Sequence, residues 1–328
     1  MVTAGPIPAA SLGRVGSGWR PRVWRSGLIT LFSALLAAAP PGIEQARIAG
    51  AQNAVSDVSI QPIAIQRFAN PGPLAGVVAR VDLRDPRVEV KLVMAAEAQD
   101  GVEACAGRLE VPSVVARRED FAVAVNASYF KAAAKIVDGR KVPYYVGNCG
   151  TPVGWHVADG QVRTRPTEAH IQATLVLRAG GRPSMHPRLD QLPAGTRIAV
   201  SGSALVLERG RVQASKSDRA RHPRTAVGIS EDGATLLLVV VDGRQAGSRG
   251  ATLAELGALM QGFGAHSAIN LDGGGSTAMV AKDAVTGVFT VVNRPSDLAA
   301  GLPDVRAERP VVDVLGVSVR GSAAAPLR

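Results

Sequence analysis

The chain has 328 residues, 46% of them hydrophobic and 20% charged, with a formal net charge of +10 at pH 7. That length and apolar content suit a folded chain with a large core and exclude a disordered one. After residue 51 there is no Lys/Arg-dense tract, and aromatics are only 4% of the chain. Those features argue against a nucleic-acid partner, which needs a basic stripe and stacking rings.

In chain order, Arg14, Arg20, Arg22 and Arg25 precede an apolar run over residues 27–39, and Ala49-Gly50-Ala51 offers small residues for cleavage. Residues 1–51 therefore read as a signal peptide or, if uncleaved, an N-terminal anchor, since the run is short for a membrane span. The expected location is secreted, periplasmic or cell-surface, with membrane contact only if that segment is retained. In an oxidising compartment Cys105 and Cys149 can pair as a disulfide; two buried thiols are the alternative. CxxC and HExxH spacings are absent, so the sequence indicates no metal site and no cofactor, with a divalent cation left open.

Residues 52–74 read as a linker closed by Asn70-Pro71-Gly72-Pro73, residues 75–320 as one domain, and residues 321–328 as a tail. Strands are predicted over 76–83 and 88–93, with Asp85-Pro86-Arg87 turning between them. A short helix over 112–118 starts on Pro112, where a missing N–H is harmless, and a buried strand over 121–125 delivers Asn126 at its end. The middle, 131–221, is the least patterned: a hairpin turn at Asp159-Gly160, strands over 173–177 and 204–207, and a polar mobile loop around 208–219. Beyond it, the unbroken apolar run 235–241 predicts a central strand buried on both faces. Thr252 and Glu255 form a capping box ahead of a helix whose apolar face is Leu253, Leu256, Leu259, Met260 and Phe263, closed by Gly264. A strand to Asn270 then feeds a hairpin-like bend through Asp272 and Gly273-Gly274-Gly275, with a second strand from Thr277. Another polar strand end spans 291–297, and a closing strand spans 311–319. The expected fold is α+β: a mixed β-sheet core with few helices and polar strand-end loops forming one cleft.

Three consecutive glycines are costly unless the backbone needs positive φ or something must approach it closely, and their amides suit an anion nest. Polar groups gather at strand ends whose interiors lack them: Asn126, Asp242 with Arg244, Asn270 with Asp272, and Asn293 with Arg294, while His222 and Arg224 begin a fifth strand. Such a set of carboxylates, an imidazole and guanidinium groups around small amides suits an anionic substrate.

Asn126-Ala-Ser-Tyr-Phe, Arg221-His-Pro-Arg-Thr-Ala-Val-Gly, Val241-Asp-Gly-Arg with Gly250-Ala-Thr-Leu-Ala-Glu-Leu, Asn270-Leu-Asp-Gly-Gly-Gly-Ser-Thr, Asn293-Arg-Pro-Ser-Asp and Glu308-Arg-Pro occur in that order. In this series the chain resembles the phosphodiester glycosidases over roughly residues 75–320. It departs from them at Ala127-Ser128, where two glycines are usual, and between Gly150 and Arg221. The resemblance implies hydrolysis of a sugar from the phosphate of a sugar-1-phosphodiester or a related cell-surface glycan. On that basis Asp272 and Asp242 are candidate nucleophile or base, and Arg224 and Arg244 a phosphate clamp aided by Gly273, Gly274 and Gly275. His222 is an acid or a phosphate-orienting group. Asn126, Asn270, Ser276, Thr277 and Asn293 bind sugar or hold the loop. His156, His170, His186 and His266 are left as structural or solvent-facing. Two other classes remain: a metal-dependent phosphodiesterase cutting P–O with Asp242 and Asp272 as ligands, and a non-catalytic glycan-binding module.

Overall fold

The computed structural model describes residues 62–70, 74–98, 105–137, 139–213, 219–298 and 305–321. The predicted export signal, the tail beyond 321 and positions 214–218 of the polar loop lie outside the described residues. Among those residues there are two α-helices, and every strand pair is antiparallel.

The run Thr235–Val241 forms the strand its composition predicts. Leu236, Leu238 and Val240 face one core while Leu237, Val239 and Val241 face another, and all six are essentially inaccessible. Burying each such side chain contributes about 1.5–3 kcal/mol, which is why this strand sits centrally rather than at an edge. Its neighbours are Leu74–Asp82 and Arg224–Ile229, in a seven-stranded sheet that continues through Ser267–Asn270 to Ala204–Glu208. At the other edge Ile63–Asn70 pairs with Leu74 to Val81, so residues 63–70 of the segment read as a linker form an edge strand of this sheet. Its sequence, IAIQRFAN, lacks apolar–polar alternation and only Phe68 among its described side chains is buried, so it carries a weaker signal than a continuous run.

The second large sheet has five strands, in the order Phe289–Val291, Met279–Lys282, Val123–Asn126, Asp313–Val319 and Val88–Met94. Its Val90, Leu92, Val125, Met279, Leu315 and Val317 meet the seven-stranded sheet's Val77, Val227, Leu238 and Ile269 in one core. A third, five-stranded sheet built from residues 156–202 adds Leu175, Ile198 and Val200 to that core. Helix Leu253–Gly262 covers the opposite face of the seven-stranded sheet through Leu256, Met260 and Phe263. Helix Pro112–Arg118 covers the outer face of the five-stranded one through Val115 and Ala116. A disulfide joins Cys105 to Cys149, 44 residues apart, on the margin of a small four-stranded sheet. No described helix is long and apolar enough to cross a membrane.

The capping box is present: the Thr252 hydroxyl accepts from Glu255 N–H at 3.2 Å, and the Glu255 carboxylate accepts from Thr252 N–H at 2.9 Å. Gly264 follows the helix at φ +91°, the left-handed position its lack of a Cβ permits. Replacing Thr252 by Ala is expected to lower stability by about 1 kcal/mol, read as an earlier urea midpoint at unchanged slope.

Candidate active site

Antiparallel register decides which strand ends meet. Arg224 pairs with Val241 and Ala226 with Asn270, so the start of one strand and the ends of two others share one edge of the seven-stranded sheet. Asn126 ends its strand in the facing sheet, opposite Val314. Its wholly buried side chain joins the two sheets. Thr225 Oγ1 donates to Asn126 Oδ1 at 2.7 Å, Ala278 N–H donates to the same oxygen at 3.2 Å, and Asn126 Nδ2 donates to Asp272 O at 2.7 Å. Every polar atom of the Asn126 amide is thus engaged by the fold, which places it among the loop-holding residues rather than on a sugar.

The glycine bend is not a hairpin. From Asn270 the chain leaves the seven-stranded sheet, makes one 3-10 turn over Gly274–Ser276 and enters the other sheet at Met279. A crossover between packed sheets needs close backbone approach, and the three glycines supply it. A Cβ on Gly273 would sit 2.7 Å from Pro223 O, Gly274 has φ +63°, and a Cβ on Gly275 would meet Arg309 Nη2 at 2.1 Å. The amides expected to form an anion nest are largely committed inside the fold. Gly273 N–H donates to Asp272 Oδ1 at 2.9 Å, Gly274 N–H to Pro223 O at 2.9 Å, and Ser276 N–H to Gly273 O at 3.2 Å. The same residues therefore pack against arginines instead of presenting an open row of donors.

Asp272 sits at this crossover, its N–H donating to Ala127 O at 3.0 Å. Part of its surface stays accessible, but the protein packed around it pushes the carboxyl up to about 6; the Arg309 charge and the Gly273 amide oppose that rise. Tyr129, which the sequence reading passed over, stands beside it: burial, then the Asp272 charge, push its phenol up to about 12. The Tyr129 hydroxyl accepts from Asn270 Nδ2 at 2.8 Å and donates to Ser203 Oγ at 3.2 Å. Around the bend, Asn270 Oδ1, Ser276 Oγ and Thr277 Oγ1 are buried without a hydrogen-bond partner in the chain. Three such oxygens so close in sequence are the kind that a ligand or an ordered water satisfies.

Asp242 lies at the end of the neighbouring strand, buried, with its carboxyl raised by desolvation. Its Oδ1 accepts from Arg294 N–H at 2.8 Å and Asn293 Nδ2 at 3.2 Å. Asn293 also donates to Thr277 O at 3.2 Å and accepts from Met279 N–H at 2.9 Å, so it ties Asp242 to the segment after the glycines.

The arginines divide differently from expectation. Arg224 is buried and donates to Ala251 O at 2.9 Å and Ala220 O at 3.3 Å, holding two loops together. Arg244 is exposed, at φ +58°, with its guanidinium against Gly274. Arg309, present in the sequence only as part of a motif, lies over Gly275; it donates to Asp297 Oδ2 at 2.8 Å and its guanidinium stacks 4.0 Å from the Tyr144 ring centre. Arg306 donates to Arg244 O at 3.3 Å and to Ser296 O at 3.1 Å, adding another positive charge to this rim. His222 is exposed and its backbone bridges to Ala251. His156 is fully buried: its Nδ1 lies 2.7 Å from Asp313 Oδ2, the oxygen that also accepts from Ser128 Oγ at 2.5 Å. Ser128, a departure from the family pattern, thereby helps pin the Asn126 strand end to Asp313. Among the described residues no three His, Cys, Asp or Glu side chains converge as metal ligands.

Residues 119–318, more than half of the chain, match the family described as phosphodiester glycosidase. Over 98 residues the chain is 40% identical to the SPbeta prophage-derived uncharacterized protein YomE of Bacillus subtilis, which covers 30% of this chain and only 13% of that protein. Among solved structures it is similar to the catalytic domain of zebrafish N-acetylglucosamine-1-phosphodiester alpha-N-acetylglucosaminidase auto-inhibited by its pro-peptide. The TM-score there is 0.59, at 22% identity over 82% of this chain and 87% of that one. It is also similar to a hypothetical protein from Synechocystis, with a TM-score of 0.50 at 18% identity over 79% of this chain and 62% of that one. At these identities the structural likeness concerns the fold.

Proposed function

The chain belongs to the phosphodiester glycosidase family, and from that premise we propose that it hydrolyses the bond between the anomeric carbon of a sugar and the phosphate of a sugar-1-phosphodiester or related cell-surface glycan. The observation that carries this reading is Asp272: a carboxyl raised to about 6, set at a crossover flanked by Arg244 and Arg309. Phosphate is a good leaving group, so the site needs positive charge near the departing oxygens more than it needs a strong acid. Arg244 and Arg309 supply that charge, with Arg306 behind them. Asp272, ionised, acts on the anomeric centre as an oxocarbenium-like transition state develops. Asn270, Ser276 and Thr277, whose buried oxygens are unpaired within the chain, hold sugar hydroxyls. Asp242, held by Asn293 and Arg294, keeps the rim in register.

Incubation with a panel of sugar-1-phosphodiesters in isotopically labelled water tests the reaction. Label in the released sugar supports cleavage of the C–O bond, whereas label in the phosphate selects the phosphodiesterase class, and binding without turnover selects a glycan-binding module. Because Asp272 works as the carboxylate, kcat/KM is expected to rise as pH increases through about 6 and then level off. A profile that falls above that pH makes Asp272 an acid and removes the assignment.

A further inference from the structure

The hairpin formed by Arg224–Ile229 and Thr235–Val241 has its catalytic end at Arg224 and Val241, and its turn, at Asp232-Gly233, at the other. Six residues of strand separate the two ends by roughly 20 Å. At the turn lies a cavity of about 690 Å³ with an apolar floor that includes Leu83, Val88 and Leu177. Five arginines line it, Arg84, Arg178, Arg182, Arg197 and Arg320, against two acids, Glu89 and Asp232.

The acids balance part of this charge. Asp232 is held as a carboxylate by the Ser230 hydroxyl at 2.5 Å and Ala234 N–H at 3.0 Å, and Arg197 lies 3.7 Å from Glu89 and 3.4 Å from Asp159. Arg84 forks onto Asp82 at 2.9 Å, and Arg320 donates to the Pro86 carbonyl at 2.9 Å. Arg178 and Arg182, on the hairpin that follows Ala173–Arg178, have no hydrogen bond or ion pair through their guanidinium groups to the described residues. Both are nevertheless placed. A Cβ on Gly181 would meet Arg178 Cβ at 3.3 Å and Nε at 3.7 Å, and one on Gly233 would meet Arg182 Cβ and Cδ at 3.2 Å. The two arginine stems therefore lie over glycines that leave them room.

We propose that this basin is a second binding site, separate from the catalytic one, for a glycan carrying two or more oxyanions. Guanidinium forks match phosphate, sulfate and carboxylate groups, and the apolar floor suits the carbon face of sugar rings. Among the described residues no aromatic side chain lines the cavity, so bases would have nothing to stack on, which sets a glycan ahead of single-stranded nucleic acid. This inference is independent of the hydrolysis assigned above.

The test is calorimetric titration of the whole chain with a heparin oligosaccharide and with tripolyphosphate, at low and raised salt. The wild type is expected to bind both, more weakly as salt rises, and an Asp272→Asn variant to bind equally well. The double variant Arg178→Gln, Arg182→Gln should bind at least about tenfold more weakly with an unchanged melting temperature, since both side chains are exposed. Arg182→Lys in place of Gln should restore part of the loss. Absence of wild-type binding, an unaffected double variant, equal binding of neutral dextran, or tighter binding of single-stranded DNA at matched charge would each overturn the proposal.

Discussion

Asp272→Asn is expected to lower kcat on a sugar-1-phosphodiester by about a thousandfold or more while making the protein more stable above pH 6. Both effects have one origin. Packing around the carboxyl raises its native value to about 6, well above the roughly 3.9 of an unfolded chain. Between those values the native state holds a proton that the unfolded state has released. The contribution of this group to stability is therefore complete below about pH 4 and is lost as pH rises through 6, a cost of about 3 kcal/mol at neutral pH. The amide has no charge to desolvate and can still accept from Gly273 N–H, so the fold gains what the chemistry loses. Denaturant titrations of both proteins at pH 4 and pH 8 check it: the variant should gain stability at the higher pH only. Loss of activity with equal loss of stability at both values would mean that Asp272 serves the structure and not the reaction.

Asn126→Ala carries the second large effect. Three hydrogen bonds end on this side chain, from Thr225 Oγ1 and Ala278 N–H to its oxygen and from its nitrogen to Asp272 O. Truncation leaves a hydroxyl, an amide and a carbonyl unpaired between two sheets, each costing about 1–3 kcal/mol when buried. A total loss of about 4 kcal/mol is expected, measured by urea denaturation. Because the Asp272 carbonyl is among the groups released, the carboxylate should also lose its placement, and kcat should fall in whatever fraction stays folded. An unchanged midpoint with a raised KM would instead assign Asn126 to the substrate.

Some of this was readable residue by residue. The strand Thr235–Val241 and the helix from Thr252 were legible because their signals are local: an unbroken apolar run and a reciprocal cap need no knowledge of the rest of the chain. The glycine triplet was legible as a demand for close approach, but what approaches was not. A tight hairpin and a crossover between sheets call for the same small residues, and only the partners of Ser267–Asn270 and Met279–Lys282 distinguish them. The short strands over 130–142 escaped notice because at three residues each they carry too little alternation to register.

The arginines show the same division. Arg224 and Arg309 are alike in sequence, each beside a proline in a polar motif. One turns to carbonyls in the loops at Ala220 and Ala251, and the other lies over Gly275. Nothing in spacing separates a guanidinium that braces loops from one that lies over the glycine bend, because the difference is set by the tertiary neighbours each side chain meets. Tyr129 was passed over, and His156 was left between a structural and a solvent-facing role, for a related reason, since their partners Asn270 and Asp313 are 141 and 157 residues away.

The amino-acid order alone thus determined the family likeness, the sheet-rich class and the polar strand ends from which the site is drawn, since those are properties of short stretches. Tertiary structure decided which polar residues brace the fold and which face the bend, and it exposed the arginine basin at the far end of the central hairpin. Register and sheet packing bring together groups more than a hundred residues apart, and a side chain's charge, burial and free valences exist only after that assembly.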